Sequence, residues 1–165
     1  MFIAQISTPD QIDAVRGLVR EFFIYAEMLD SEAKNASTFD GLEAELAALP
    51  GGPYGPPDGC FFLASVDGVP AGCVALRRTD AMTAEVKRMF VRPSFRGQKI
   101  GQKLVATLLS DAQAKGYRRI KLSSFHLMTN AHAIYRTAGF RDVPPPPDFP
   151  DLFRGKVVFM EMDLV

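Results

Sequence analysis

The chain has 165 residues, 47% of them hydrophobic, and its 19 basic and 19 acidic side chains cancel to zero net charge. That length suits one domain, residues 1–165, with a buried core, and the composition excludes a disordered chain. The charge balance lacks the basic excess by which nucleic-acid binders track a phosphate backbone, and no run reaches the roughly 20 apolar residues of a membrane span.

The N-terminus, MFIAQISTPDQ, has neither a basic leader nor a long apolar run, so a cytoplasmic protein without nucleic-acid or membrane partners is expected. FIAQIS reads as a short strand. Thr8, Pro9 and Gln11 then form a helix start: a cap, a proline at the first helical position and a glutamine that can reach back. Ile12, Val15, Leu18, Val19, Phe22, Phe23, Ala26 and Leu29 follow at helical spacing and predict one broad apolar face. A second helix, capped by Ser37, carries Leu42, Leu46 and Leu49 and stops at the loop PGGPYGPPDG.

Beyond that loop the period becomes two. CFFLASV and VPAGCVALRR flank Asp67-Gly68, a pair suited to a two-residue hairpin turn. Cys60 and Cys73 lie in these apolar strands as buried free thiols would; a redox pair is the competing reading. AEVKRMFV is a third strand, closed by Pro93. Ile100, Leu104, Val105, Leu108, Leu109 and Ala112 then stripe a helix that ends near Gly116. YRRIKLSSF is strand-like. A short helix over residues 130–138, capped by Thr129 or Asn130, stops at Gly139, and KVVFMEMDLV closes the chain as a strand with Val158, Met160, Met162 and Leu164 on one face. The order predicts an α/β fold with a sheet of mixed direction.

FRGQKIGQKL joins the third strand to the following helix. Free backbone NH groups at a helix start, with the helix dipole behind them, attract phosphate. Gly97 and Gly101 would let an anion approach, and Arg96, Lys99 and Lys103 would add charge. The same residues also suit an ordinary turn with a solvated charged face. The pattern is neither a P-loop nor a dinucleotide fingerprint.

Taken together, AEVKRMFV, RPSFRGQKIG, the helix to Gly116, RRIKLSSF and AIYRTAGF resemble the core of the GNAT superfamily of acetyl-CoA-dependent N-acetyltransferases, over residues 84–142. The resemblance implies a mostly antiparallel sheet of six to seven strands flanked by about four helices, with two strands splayed around the cofactor. It implies acetyl-CoA as co-substrate; a small-molecule amine or amino-acid derivative is the expected acceptor, with a protein N-terminus or lysine as the alternative, and no metal is expected. The family's phosphate motif falls on Arg96, Gly97, Gln98, Lys99, Ile100 and Gly101, with Gln102 beside it. Met89, Phe90 and Val91 would contact pantetheine. Lys99 stands where the family has glycine; we expect it to stay helical and turn its ammonium toward the phosphates.

Acetylating an amine of pKa near 10.4 costs roughly 4 to 5 kcal/mol at pH 7 unless a base removes its proton. Glu85 is the candidate base, acting directly or through water; the competing reading is a surface carboxylate paired with Lys87 or Arg118. Tyr135 matches the family's general acid for the departing thiolate. The usual asparagine is Met128 here. His126 and His132 are expected at the surface, without a metal site, with His126 a weaker candidate base. The acceptor pocket would be bordered by residues 25–39 and by the loop VPPPPDFPDLFRG, whose Asp148, Phe149, Asp151, Phe153 and Arg154 are all candidates for acceptor contact. An exposed final strand would allow a homodimer. The departures at Lys99 and Met128 leave a second reading, a CoA-binding module that keeps the fold without turnover.

Overall fold

A computed structural model describes residues 1–32 and 41–165, so the expected cap at Ser37 lies outside the described residues. Seven strands follow in chain order as β1 (Phe2–Gln5), β2 (Cys60–Val66), β3 (Val69–Arg78), β4 (Thr83–Val91), β5 (Arg119–Phe125), β6 (Arg141–Val143) and β7 (Val157–Asp163). Four helices among the described residues are α1 (Pro9–Leu29), α2 (Leu42–Ala47), α3 (Ile100–Ala114) and α4 (Thr129–Ala138). The strands form one sheet in the order β1-β2-β3-β4-β5-β7-β6, antiparallel at every junction except β4–β5. The expected mostly antiparallel α/β architecture is present.

Local chemistry accounts for the boundaries. Thr8 accepts from the Gln11 backbone NH while the Gln11 side chain accepts from the Thr8 NH, which makes the expected capping box. Asp67 and Gly68 both take positive φ, as the tight hairpin between β2 and β3 requires. Gly139, at φ +110°, ends α4. Two expectations fail locally. Neither Thr129 nor Asn130 caps α4; its cap position is Met128, with no side-chain bond. Leu29 ends α1 exposed rather than on its buried face.

Both faces of the sheet are covered, which is why CFFLA is apolar without alternation. On one face α1 and α2 bury Val15, Leu18, Phe23 and Leu46 over Phe61, Leu63, Ala75 and Phe90. On the other, α3 and α4 bury Ile100, Leu104, Leu108 and Tyr135 over Val74, Leu76, Ile120 and Met160. Cys60 and Cys73 are free and buried within these layers. Val158, Met160, Met162 and Leu164 share the α3 side, as expected.

The final strand is not at an edge. β7 pairs with β5 on one side and β6 on the other, so the reason for expecting a homodimer through it is gone.

One ion pair anchors α2 to the sheet. Arg88 of β4 forms a two-pronged contact with Glu45, at 2.9 and 2.8 Å, beneath the ring of Phe23. Its side chain is 6% exposed and that of Glu45 17%. Glu45→Ala would leave a buried guanidinium unpaired and is expected to cost about 3 kcal/mol in urea unfolding. A loss below about 1 kcal/mol would show that water replaces the carboxylate.

Candidate active site

β4 and β5 stay paired only through Thr83↔Arg119, Ala84↔Ile120 and Glu85↔Lys121, then part. The backbone of β4 facing the gap has no strand partner beyond Glu85, so its polar groups are available to a ligand. On its other side β4 is bulged: Cys73 pairs with Phe90 and Ala75 with Lys87, leaving Arg88 and Met89 opposite Val74 alone. Arg88 takes φ +55° to make that bulge. The parting and the bulge bend β4 away from β5.

A cavity of about 840 Å³ fills the gap. Its walls bring together residues that are distant in sequence: Phe22, Phe23 and Tyr25 from α1; Val86 to Val91 from β4; Arg96, Gly97, Lys99, Ile100, Gly101 and Gln102 at the start of α3; Ser123 to Phe125 from β5; and Tyr135 from α4. Of the expected cofactor residues, all but Gln98 line it. Gln98 is exposed and is not part of the wall.

The first backbone bond into α3 runs from Lys103 to Lys99, so the NH groups of Ile100, Gly101 and Gln102 have no helical partner. With no acidic residue in the first turn, this end is an anion-attracting corner of the cavity. Arg96 is held beside it: its guanidinium lies over the Tyr25 ring, 4.7 Å from the centroid, and donates to the Tyr25 hydroxyl at 3.2 Å and the Val91 carbonyl at 3.3 Å.

One reading of this loop needs correction. Lys99 is not helical; its φ is +60°, the left-handed conformation that glycine adopts without cost. The loop reverses direction at this residue before α3 begins, which explains why glycine suits the position. Gly101 lines the cavity and also serves packing, because a Cβ there would lie 2.6 Å from Ile134 Cδ1 and 3.0 Å from Met89 Cε.

Tyr135 is 4% exposed, edge-on to Phe140, and faces the cavity. Burial raises its pKa, so the phenol keeps its proton at neutral pH. Glu85 is buried, not a surface group. Its partner is Arg77 on β3, at 2.6 Å, rather than Lys87 or Arg118, because Arg77 lies directly across the strand pair. It does not line the cavity, which removes direct contact with an acceptor.

His132 also departs from expectation. It is 3% exposed, and its Nε2 lies 2.9 Å from Ser124 Oγ on the cavity wall. Burial lowers its pKa, the Arg136 charge lowers it further, and Asp142 and the Phe125 backbone oppose them. Sequence spacing held a clue: His132 is three residues before Tyr135, on the same helical face. From the proline-rich loop only Phe149 reaches the cavity, braced edge-on by Phe159; Arg154 and Asp151 pair with each other at 2.6 Å.

A splayed strand pair with a helix start at one end of the gap and a tyrosine on the adjoining helix defines an acyl-CoA-dependent acyltransferase fold. Residues 22–140 match the Acetyltransferase (GNAT) family. An uncharacterized N-acetyltransferase of Schizosaccharomyces pombe is 30% identical over 145 residues, covering 87% of this chain and 84% of that protein. N-acetylaspartate synthetase of Mus musculus is 36% identical over 87 residues, which span 52% of this chain and 29% of that protein. An aminoglycoside 6'-N-acetyltransferase complexed with coenzyme A shares the fold, with a TM-score of 0.73 at 15% identity over 100% of this chain and 98% of that one. The chain belongs to the GNAT family of acetyltransferases. It is an acyltransferase enzyme, with acyl-CoA as co-substrate.

Two predictions follow from this geometry. Lys99→Gly removes left-handed strain together with a cation at the anion corner. Thermal melts should show stability unchanged or raised, while calorimetry should show CoA affinity reduced about three- to tenfold. Tighter CoA binding would instead mean that the side chain obstructs the site. For His132, the unfolded state takes up a proton more readily than the folded one. Its contribution is therefore complete above pH 6.5, the ordinary value, and is lost as pH falls from there through the lowered folded value. The drop in melting temperature between pH 7.5 and 5.5 should shrink in His132→Gln.

Proposed function

We propose that the protein transfers an acetyl group from acetyl-CoA to the primary amine of a small molecule or amino-acid derivative by direct attack, without an acyl-enzyme intermediate. The observation that carries this reading is the gap between β4 and β5, which ends in an unpaired helix start on one side and is overlooked by a protonated, buried tyrosine on the other. The helix start, Arg96 and Lys99 would hold the pyrophosphate. The free edge of β4 from Met89 to Val91 would bond pantetheine as a strand does and polarise the thioester carbonyl.

The neutral amine nitrogen attacks the thioester carbon, the C–S bond breaks, Tyr135 gives its proton to the leaving sulfur, and the proton that the nitrogen sheds on becoming an amide returns to the tyrosinate. The ammonium proton must leave first. Glu85 faces the same side of β4 as Lys87 and stands one pleat from the wall, about 7 Å along the strand, so it acts through water. A second route is supported by the hydrogen bond between Ser124 and His132: Ser124 would pass the proton to a neutral imidazole.

Tyr135→Phe should lower kcat for thiol release about 100-fold or more while leaving the Kd for CoA within about twofold. Unchanged turnover would refute Tyr135 as the acid. Glu85→Gln and His132→Gln separate the two proton routes: the variant whose kcat falls and whose pH–rate profile loses its lower limb identifies the base. If acetyl-CoA binds to the wild type but no amine is acetylated, the protein is the CoA-binding module and the enzyme mechanism falls.

A further inference from the structure

The charges on the cavity wall are one-sided. Among the described residues that line it, four are cationic (Lys87, Arg88, Arg96 and Lys99) and none is a carboxylate, in a chain that has 19 of each sign. Arg96 and Lys99 stand at the helix start, where phosphates account for them. Lys87 and Arg88 stand on β4 immediately past its last pair with β5, roughly 13 Å back along the strand from Val91. The helix start that would hold phosphates lies beyond Val91, at the other end of this stretch.

These two cations are not alike. Arg88 is neutralised by Glu45 in the two-pronged contact. Among the described residues Lys87 has no hydrogen bond and no carboxylate within 4 Å; Glu85 and Glu45 act on it only at longer range. The carboxylate two residues away, Glu85, is taken by Arg77 at 2.6 Å, and Glu45 is taken by Arg88. Lys87 pairs across the strands with Ala75, which is buried under α1, so its side chain projects on the α1 side of the sheet with the wall residues Phe22, Phe23 and Tyr25. A half-buried ammonium with no carboxylate in contact is poorly compensated, and an anion that completes the pair stabilises it.

We propose that Lys87 is a specificity residue that binds a carboxylate of the acceptor, so the substrate is a carboxylate-bearing amine such as an amino acid. This rests on the acetyl-transfer reading above and narrows it. The same field rejects polycationic amines, because an acceptor with several ammonium groups would meet Lys87 and, among the described residues of the wall, no carboxylate. The aromatic rings of Phe22, Phe23 and Phe149 form the apolar part of the same compartment and contact the remainder of the acceptor.

The test pairs each amino acid with its carboxamide, which keeps the amine and removes the charge. Thiol release is measured with acetyl-CoA for the twenty α-amino acids, their amides and spermidine, in the wild type, Lys87→Gln, Lys87→Met and Lys87→Arg. At least one acid should exceed its amide by about 30-fold or more in kcat/KM, chiefly through KM. In the Gln and Met variants that ratio should fall to within about threefold, and Lys87→Arg should restore most of it. Thermal melts of each variant identify any that fail to fold. Equal use of acid and amide, preference for spermidine, or an acid preference that survives in folded Lys87→Gln and Lys87→Met would overturn the proposal while leaving acetyl transfer standing.

A second readout is independent of chemistry. N-acetyl amino acids and their amides are titrated calorimetrically into CoA-loaded protein. Preferential binding of the acids that is lost in Lys87→Gln, in the absence of turnover, would sustain the carboxylate site and refute the enzyme mechanism instead. Failure of every acid to bind would overturn the proposal.

Discussion

Two parallel strands that pair for three residues and then diverge determine most of what this protein can do. Their divergence leaves one edge of β4 without a partner in the middle of a sheet, where unpaired backbone is costly. The cost is relieved when an extended ligand enters the gap and takes the place of a strand. The bulge at Arg88 and Met89 belongs to the same device, since an extra residue on one side of β4 bends it away from β5 on the other.

Everything around the gap either holds it open or furnishes it. Packing of α3 against α4 depends on Gly101, which lets Ile134 and Met89 close over the helix and so fixes where the unpaired NH groups point. On the opposite face, Arg88 binds Glu45 and Arg92 binds Glu21 at 2.6 and 2.8 Å, tying α2 and α1 to the strand that carries the wall. Between these layers Tyr135 is held protonated by burial. Structural pairing also decides which charges are left for a ligand. Arg77, Arg88 and Arg92 each contact a carboxylate, and among the described residues Lys87 does not.

Several of these features were legible in the chain because they are local. The Thr8–Gln11 box, the Asp67-Gly68 turn and the Gly139 stop each involve residues within four positions of one another, and all formed as expected. The loop from Arg96 to Gly101 was legible through its motif, and the position of Tyr135 through AIYRTAGF. Errors arose where a side chain's fate depended on another strand or helix. Glu85 has Lys87 as its near neighbour in sequence, yet its partner is Arg77, which the β3–β4 register places opposite it. His132 follows a polar stretch and reads as exposed, but α4 lays it against Ser124 of β5. Lys99 reads as helical because its neighbours are, whereas the loop must turn left-handed there before α3 can start.

The sequence by itself determined an α/β sheet of mixed direction, through alternation and helical stripes, and a glycine-bearing basic loop between strand and helix; the splayed strands and the phosphate corner were expected only through the resemblance of those motifs to the GNAT core. Those signals are short-range and survive in one dimension. Only the tertiary structure decided which carboxylates are neutralised, which lysine is left without a partner, and on which side of the sheet each stands. Ion pairing and burial are set by cross-strand register and by helices packed from distant parts of the chain, and nothing in the spacing of residues along the backbone encodes those distances directly.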